Sequence, residues 1–115
     1  MIKVFHEILP ESYLIILAPG SVGDAETALD FRLQRAVRSG KKEVWVDCSL
    51  LTTLSEQAAR LLWAAHHTLQ EQFARLVLVH LSDNVKQQLQ ALELGPLPRI
   101  VPTLLDASCA VAYHY

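Results

Sequence analysis

The chain has 115 residues, enough for a single domain spanning 1–115 that buries one core without disulfide or metal staples. Ten Lys and Arg against twelve Asp and Glu give a net charge of −2, and no basic run exceeds Lys41–Lys42, which argues against a nucleic-acid surface. No apolar run approaches the ~20 residues that span a bilayer, and MIKVFHEILPES reaches Glu7 before any long apolar region, so a cytoplasmic protein without signal peptide or membrane insertion is expected.

Residues 2–8 (IKVFHEI) alternate apolar and polar, as an edge strand does. Pro10 cannot continue a ladder, so Leu9-Pro10-Glu11-Ser12 reads as a turn. Residues 13–18 (YLIILA) are continuously apolar, as in a strand covered on both faces, and the short spacer predicts antiparallel pairing with the first strand. Pro19 to Gly23 form a loop, and Asp24 is placed to cap a helix over 25–38. Ala25, Leu29, Leu33, Ala36 and Val37 share one face of that helix, Phe31 lies opposite, and Ser39-Gly40 ends it.

Residues 43–48 (EVWVDC) predict a third strand. A helix over 55–71 carries Ala58, Leu61, Leu62, Ala65 and Leu69 on one face. Residues 75–81 (RLVLVHL) predict a fourth strand, and Ser82 caps a helix with Val85, Leu89 and Leu92 inward. Gly95 to Pro98 form a loop and Arg99–Val101 a short strand. Pro102-Thr103 opens a last helix with Leu104, Ala107 and Val111 buried. The order ββαβαβα(β)α implies an α/β fold: a small, mixed, mostly parallel sheet of four to five strands with about four helices.

That order and three stretches resemble the STAS domain, the family of bacterial anti-sigma-factor antagonists and of sulfate-transporter C-terminal domains. GSVGDAETALDFRLQRAV at 20–37 is similar to the family's glycine, leucine-aspartate and helix pattern, with a looser loop. VWVDCSLLTTLSEQAARLL at 44–62 aligns without gaps to the family's strand, D-L-S-x-V-x-x-x, D-S-S-G and helix. LVLVHLSDNVKQQLQALEL at 76–94 matches the strand, Ser-capped helix and terminal leucine, and Leu105-Asp106-Ala107 fits the last helix. Asp47 and Ser49 match the family's first Asp and Ser. The D-S-S-G, however, falls on Ser55-Glu56-Gln57-Ala58. The family's usual phosphoacceptor is the second serine of that motif. Here it is Gln57, which has no hydroxyl.

Four hydroxyls crowd ahead of this helix: Ser49, Thr52, Thr53 and Ser55. Capping accounts for them most simply, either as a T-x-x-E box from Thr53 to Glu56 or by Ser55 alone. A phosphosite relocated to Ser55, Thr53 or Thr52 is the competing reading, because a helix N-terminus favours phosphate. Catalysis is disfavoured: there is no G-x-S-x-G elbow and no base placed beside them. Glu56 raises the idea of a fixed charge near the usual phosphate position, against the simpler role of complementing the helix dipole. A carboxylate has fewer acceptor oxygens and less charge than a phosphate.

Asp47 ends a strand but does not make a phospho-receiver, since the first acidic pair that would hold a metal is replaced by LAPGS; it is expected to accept loop hydrogen bonds. His66 and His67 are adjacent and point about 100° apart, so they cannot chelate as an i,i+4 pair would. No G-x-G-x-x-G or Walker loop is present, and no cofactor is expected. Cys48 and Cys109 read as buried apolar side chains.

Trp63 falls about 140° around the helix from Ala58 at 100° per residue. That places it near the border or outer face, as a candidate anchor for a partner alongside Phe31, Thr53, Ser55, Glu56 and Gln57. The resemblance implies a non-enzymatic interaction module that docks a regulatory protein, such as an anti-sigma-factor kinase, through residues 52–58 and the following helix. The alternative is a scaffold or accessory subunit of a membrane-transport or regulatory complex. A small-molecule binder is the third class.

Overall fold

The computed structural model describes residues 2–19, 25–93, 95 and 97–103. Strands β1 (Ile2–Ile8) and β2 (Ser12–Pro19) form an antiparallel hairpin, with Leu9 N–H donating to the Ser12 carbonyl at 2.9 Å across the turn at Pro10. Helix α1 (Ala25–Arg38) leads to β3 (Glu43–Asp47), α2 (Glu56–Glu71) to β4 (Arg75–Val79), and α3 (Asp83–Ala91) to β5 (Arg99–Val101). The sheet order is β1-β2-β3-β4-β5, and every pairing after the hairpin is parallel. The mixed five-stranded sheet is the expected one. Asp24, the loop at 20–23, Cys109 and the last helix with Leu104, Ala107 and Val111 lie outside the described residues.

Period-two alternation sorts the strands into two faces. Tyr13, Ile15, Leu17, Val44, Val46, Leu76 and Leu78 join Leu29, Leu33 and Ala36 of α1, Ala58, Leu62 and Leu69 of α2, and Val85 and Leu89 of α3 in one core. The three helices among the described residues therefore cover the same face. Leu14, Trp45, Val77, Val79 and Val101 form a second buried cluster from the opposite parity. Burial on both faces is why β2, β3 and β4 read as apolar runs rather than alternating ones. Each fully buried Leu, Ile or Val stabilises by roughly 1.5–3 kcal/mol. Glu43, buried within β3, accepts from Trp45 Nε1 at 2.9 Å and from Arg75 Nε, so its charge is held by two donors.

α2 ends at Glu71 as expected, whereas strand ends shift from the sequence expectation by one or two residues. β4 stops at Val79 rather than Leu81 because His80 turns into the left-handed region at φ 57°. α2 closes at Gln72 and then Phe73, at φ 59°, with Ala74 N–H donating back to the Leu69 carbonyl at 2.8 Å. This is the left-handed helix terminus that glycine normally occupies. Gly40, at φ 78°, does supply that conformation after α1.

Candidate functional site

The segment from Cys48 to Gln57 leaves the C-terminal end of β3 and enters α2. Asp47 Oδ1 accepts from the Ser49 N–H at 2.9 Å, and Leu51 N–H donates to the Cys48 carbonyl at 3.0 Å, which closes a turn directly after the strand. The loop hydrogen bond expected of Asp47 is thus present. Cys48 N–H donates to the Val79 carbonyl at 2.9 Å and keeps the loop's first residue on the sheet. Leu51 and Leu54 are buried and pin the loop to the core.

Helix α3 supplies the other anchor. Asn84 Nδ2 donates to the Thr52 carbonyl at 2.8 Å, and Gln88 Oε1 accepts from the Leu54 N–H at 3.0 Å. These tethers reach across 32 and 34 residues and could not be read from local pattern. With its backbone bound inward, the loop turns Ser49, Leu50, Thr52, Thr53, Ser55, Glu56 and Gln57 outward. Leu50, 54% exposed, was missed by sequence reasoning. Nothing in the adjacent Leu50 and Leu51 of the sequence distinguishes the exposed leucine from the buried one.

Of the two cap readings, the structure selects Ser55. Its φ and ψ of −70° and 154° are those of an N-cap, and Oγ accepts from the Ala58 N–H at 3.1 Å. Thr53 lies two residues before the cap, so the T-x-x-E box is not formed. Glu56 is the first helical residue and pairs with Arg60 one turn on at 2.8 Å. Both partners are exposed, so the pair contributes at most a few tenths of a kcal/mol. Arg60 also offsets part of the negative field that a phosphate imitation would need.

Trp63 requires a correction. It is 3% exposed and lies inside the main core, not at the border of α2, and is therefore unavailable as a surface anchor. Ala59, Trp63 and His66 form a second buried stripe beside Ala58, Leu62, Ala65 and Leu69. One apolar stripe in the sequence cannot reveal a helix buried on two. Phe31 is 57% exposed, with the Arg32 guanidinium 5.4 Å from its ring centroid, but it stands on α1, a separate element from the loop. Thr53, Ser55, Glu56 and Gln57 are all exposed and lie together on the loop and the first residues of α2, on either side of the buried Leu54.

An open groove of about 610 Å³ flanks the loop, lined by Ser49, His80, Asp83 and Lys86 among others. Ser49, His80 and Asp83 share it, yet among the described residues no hydrogen bond joins them in a nucleophile–base–orienter chain. The neighbouring Cys48 thiol is buried and pushed up to about 12, chiefly by burial and secondarily by Asp47, so it stays protonated and unreactive at neutral pH. His66 is buried, with its ring 5.9 Å from that of His67 and tilted by 46°. Among the described residues no three His, Cys, Asp or Glu side chains group as metal ligands. No helix of the described residues is long and apolar enough to cross a membrane.

Comparison with known proteins adds three findings. The STAS domain family model matches residues 21–107. The fold superimposes on a serine-to-glutamate variant of Moorella thermoacetica RsbS with a TM-score of 0.79 at 16% identity, covering 96% of this chain and 97% of that one. An anti-sigma factor antagonist from Mycobacterium paratuberculosis gives 0.74 at 20% identity over 97% and 95%. The phosphorylated form of the Bacillus cell fate determinant SpoIIAA gives 0.72 at 17% over 96% and 99%. At these identities the likeness establishes the fold. No curated protein sequence matches significantly.

Proposed function

This chain belongs to the STAS domain family; we propose that it works there as a non-enzymatic protein-interaction module of the cytoplasm, docking a regulatory protein of the anti-sigma-factor-kinase kind through residues 49–57 and the first turn of α2. One observation carries the reading. The loop backbone is tied down by Asp47, Asn84 and Gln88, and Leu51 and Leu54 are buried beneath it, while Ser49, Leu50, Thr52, Thr53, Ser55, Glu56 and Gln57 are exposed. A surface ordered before contact loses little conformational freedom on binding. An exposed aliphatic side chain in a segment that also exposes Ser49, Thr52, Thr53 and Gln57 suits a mixed polar–apolar interface.

The module operates without the usual serine switch. Gln57 occupies the phosphoacceptor position and is exposed at the start of α2, while the Ser55 hydroxyl caps the helix. Binding is then set by partner concentration rather than by phosphorylation of the loop.

The test is a tagged pull-down from native cells with wild type and a Leu50→Asp, Glu56→Lys variant, with mass spectrometry of the recovered bait. The reading expects a kinase-fold regulator captured by wild type, lost with the variant, and no phosphate on residues 49–57. Capture that survives the variant removes the loop as the docking surface. Stoichiometric phosphate on Thr52, Thr53 or Ser55 removes the switch-free part. Recovery of permease or ATPase subunits instead assigns the chain to an accessory role in a transport complex.

A further inference from the structure

At the opposite end of the sheet from the loop, α1 and the β1–β2 hairpin enclose a groove of about 370 Å³ lined by His6, Ile8, Tyr13, Arg32, Arg35, Arg38 and Ser39. Among the described residues no carboxylate lines it, although the chain carries a net charge of −2. Arg32 reaches from the helix to the strands, where its Nη1 donates to the Tyr13 hydroxyl at 3.1 Å and lies 3.4 Å from His6 Nε2. The His6 and Tyr13 rings stack at 5.8 Å, and Tyr13 is 2% exposed, so the platform under Arg32 is fixed. Arg35 and Arg38 are exposed, and among the described residues none of the three arginines makes an ion pair.

Basic residues in a last helical turn complement the helix dipole, which accounts for Arg35 and Arg38 singly. It does not account for Arg32, a turn earlier and held by a buried strand tyrosine. Arginine's planar fork of donors matches phosphate oxygens. The Tyr13 hydroxyl accepts from Arg32, which leaves its own proton to donate. At 1.5 Å per residue the three arginines span about 9 Å of helix axis, more than one tetrahedral anion covers. We propose that this groove binds a small polyanion carrying two or more linked phosphate groups, gripped by Arg32, Arg35 and Arg38 with Tyr13 positioning Arg32. The assignment is independent of the partner-docking reading, because it uses no residue of the 49–57 loop.

The experiment is calorimetric titration of the full chain with sodium pyrophosphate, orthophosphate and sulfate at constant ionic strength, repeated on Arg35→Gln, Arg38→Gln and on Tyr13→Phe. Backbone NMR shifts on wild type are recorded in parallel. Saturable 1:1 binding of pyrophosphate is expected, at least tenfold tighter than orthophosphate or sulfate. The double arginine variant weakens it at least tenfold, and the shifts centre on His6, Tyr13 and Arg32. Equal affinity for all three anions overturns the assignment, as does pyrophosphate binding that the arginine variant leaves intact. The NMR map needs no variant to fold: shifts confined elsewhere, or none at all, overturn it on their own.

Discussion

The tethering of the loop by α3 makes its order testable one hydrogen bond at a time. The Leu54 N–H donates to Gln88 Oε1 at 3.0 Å in a part-buried position, behind a side chain that is 6% exposed. Gln88→Ala removes the acceptor without admitting bulk water freely. The cost combines a net hydrogen bond of about 0.5–1.5 kcal/mol with part of the 1–3 kcal/mol charged to a buried unsatisfied donor. A central value of roughly 1.4 kcal/mol corresponds to tenfold faster exchange of the Leu54 amide if it exchanges by local opening. Asn84→Ala removes a bond to the Thr52 carbonyl that is solvent-exposed, so water replaces the donor and the loss is about 0.5 kcal/mol or less.

Native-state hydrogen exchange by NMR reads both effects, with the Ala58 amide, held by Ser55, as the internal reference. Leu54 is expected to speed up about tenfold in Gln88→Ala and no more than about twofold in Asn84→Ala, with Ala58 little changed. If loop opening is part of global unfolding, the same 1.4 kcal/mol lowers Tm by roughly 6 °C for a chain of this length. Leu54 exchange that Gln88→Ala leaves unchanged, or equal effects from the two substitutions, refutes the argument that α3 preorganises the loop.

Trp63→Ala removes a core aromatic and should destabilise by about 3–5 kcal/mol in urea denaturation; a loss under 1 kcal/mol contradicts its burial. Phe73→Gly relieves a left-handed backbone of about 1 kcal/mol at a 91% exposed side chain, less the extra freedom of the unfolded glycine. Tm should therefore rise by roughly 2 °C, and a clear fall refutes the strain. The His66 pKa is lowered, by burial first and by the His67 charge second. A depressed folded pKa means the unfolded chain takes up the proton first, so stability present above about pH 6.5 declines as pH falls below it. Thermal melts from pH 8 to 5 should show this decline flattened in His66→Gln. Cys48, pushed up to about 12, should resist iodoacetamide at pH 8 in the folded chain and react on unfolding, with peptide mass spectrometry as the readout. Its raised pKa also withdraws stability as pH climbs from about 9 towards 12.

The strands and helix bounds were legible because their signals are local. The hairpin pairs Ile8 with Tyr13 as the short Pro10 turn requires, and Ser82 caps α3 with Oγ accepting from the Val85 N–H at 3.2 Å, as its position before an apolar-periodic run suggests. What stayed hidden depends on tertiary neighbours. Thr53 and Ser55 have similar capping chemistry, and the choice between them is made where Leu54 packs and where Gln88 arrives. Trp63 was misplaced because a hydrophobic stripe reports one buried face, whereas α2 carries a second through Ala59, Trp63 and His66. The Arg32–Tyr13 contact joins residues 19 apart and leaves no periodic trace.

The parallel arrangement also separates two kinds of surface. Parallel strands gather all their C-terminal ends on one edge, so the 49–57 loop and the groove beside His80 and Lys86 stand together there. The hairpin turn and the end of α1 fall on the other edge, where the arginines collect. A five-residue strand such as β3 spans about 16 Å. That is roughly twice the Debye length of about 8 Å at physiological salt, so charge bound at the arginines is largely screened at the loop. Communication between the edges would therefore have to run through packing. The contiguous element is α1 against α2: Leu33 and Ala36 on one helix share the core with Ala58 and Leu62 on the other, and α2 begins at the loop. A ligand that shifted α1 by way of Arg32 would act on the loop through the seating of those core residues, not through its charge.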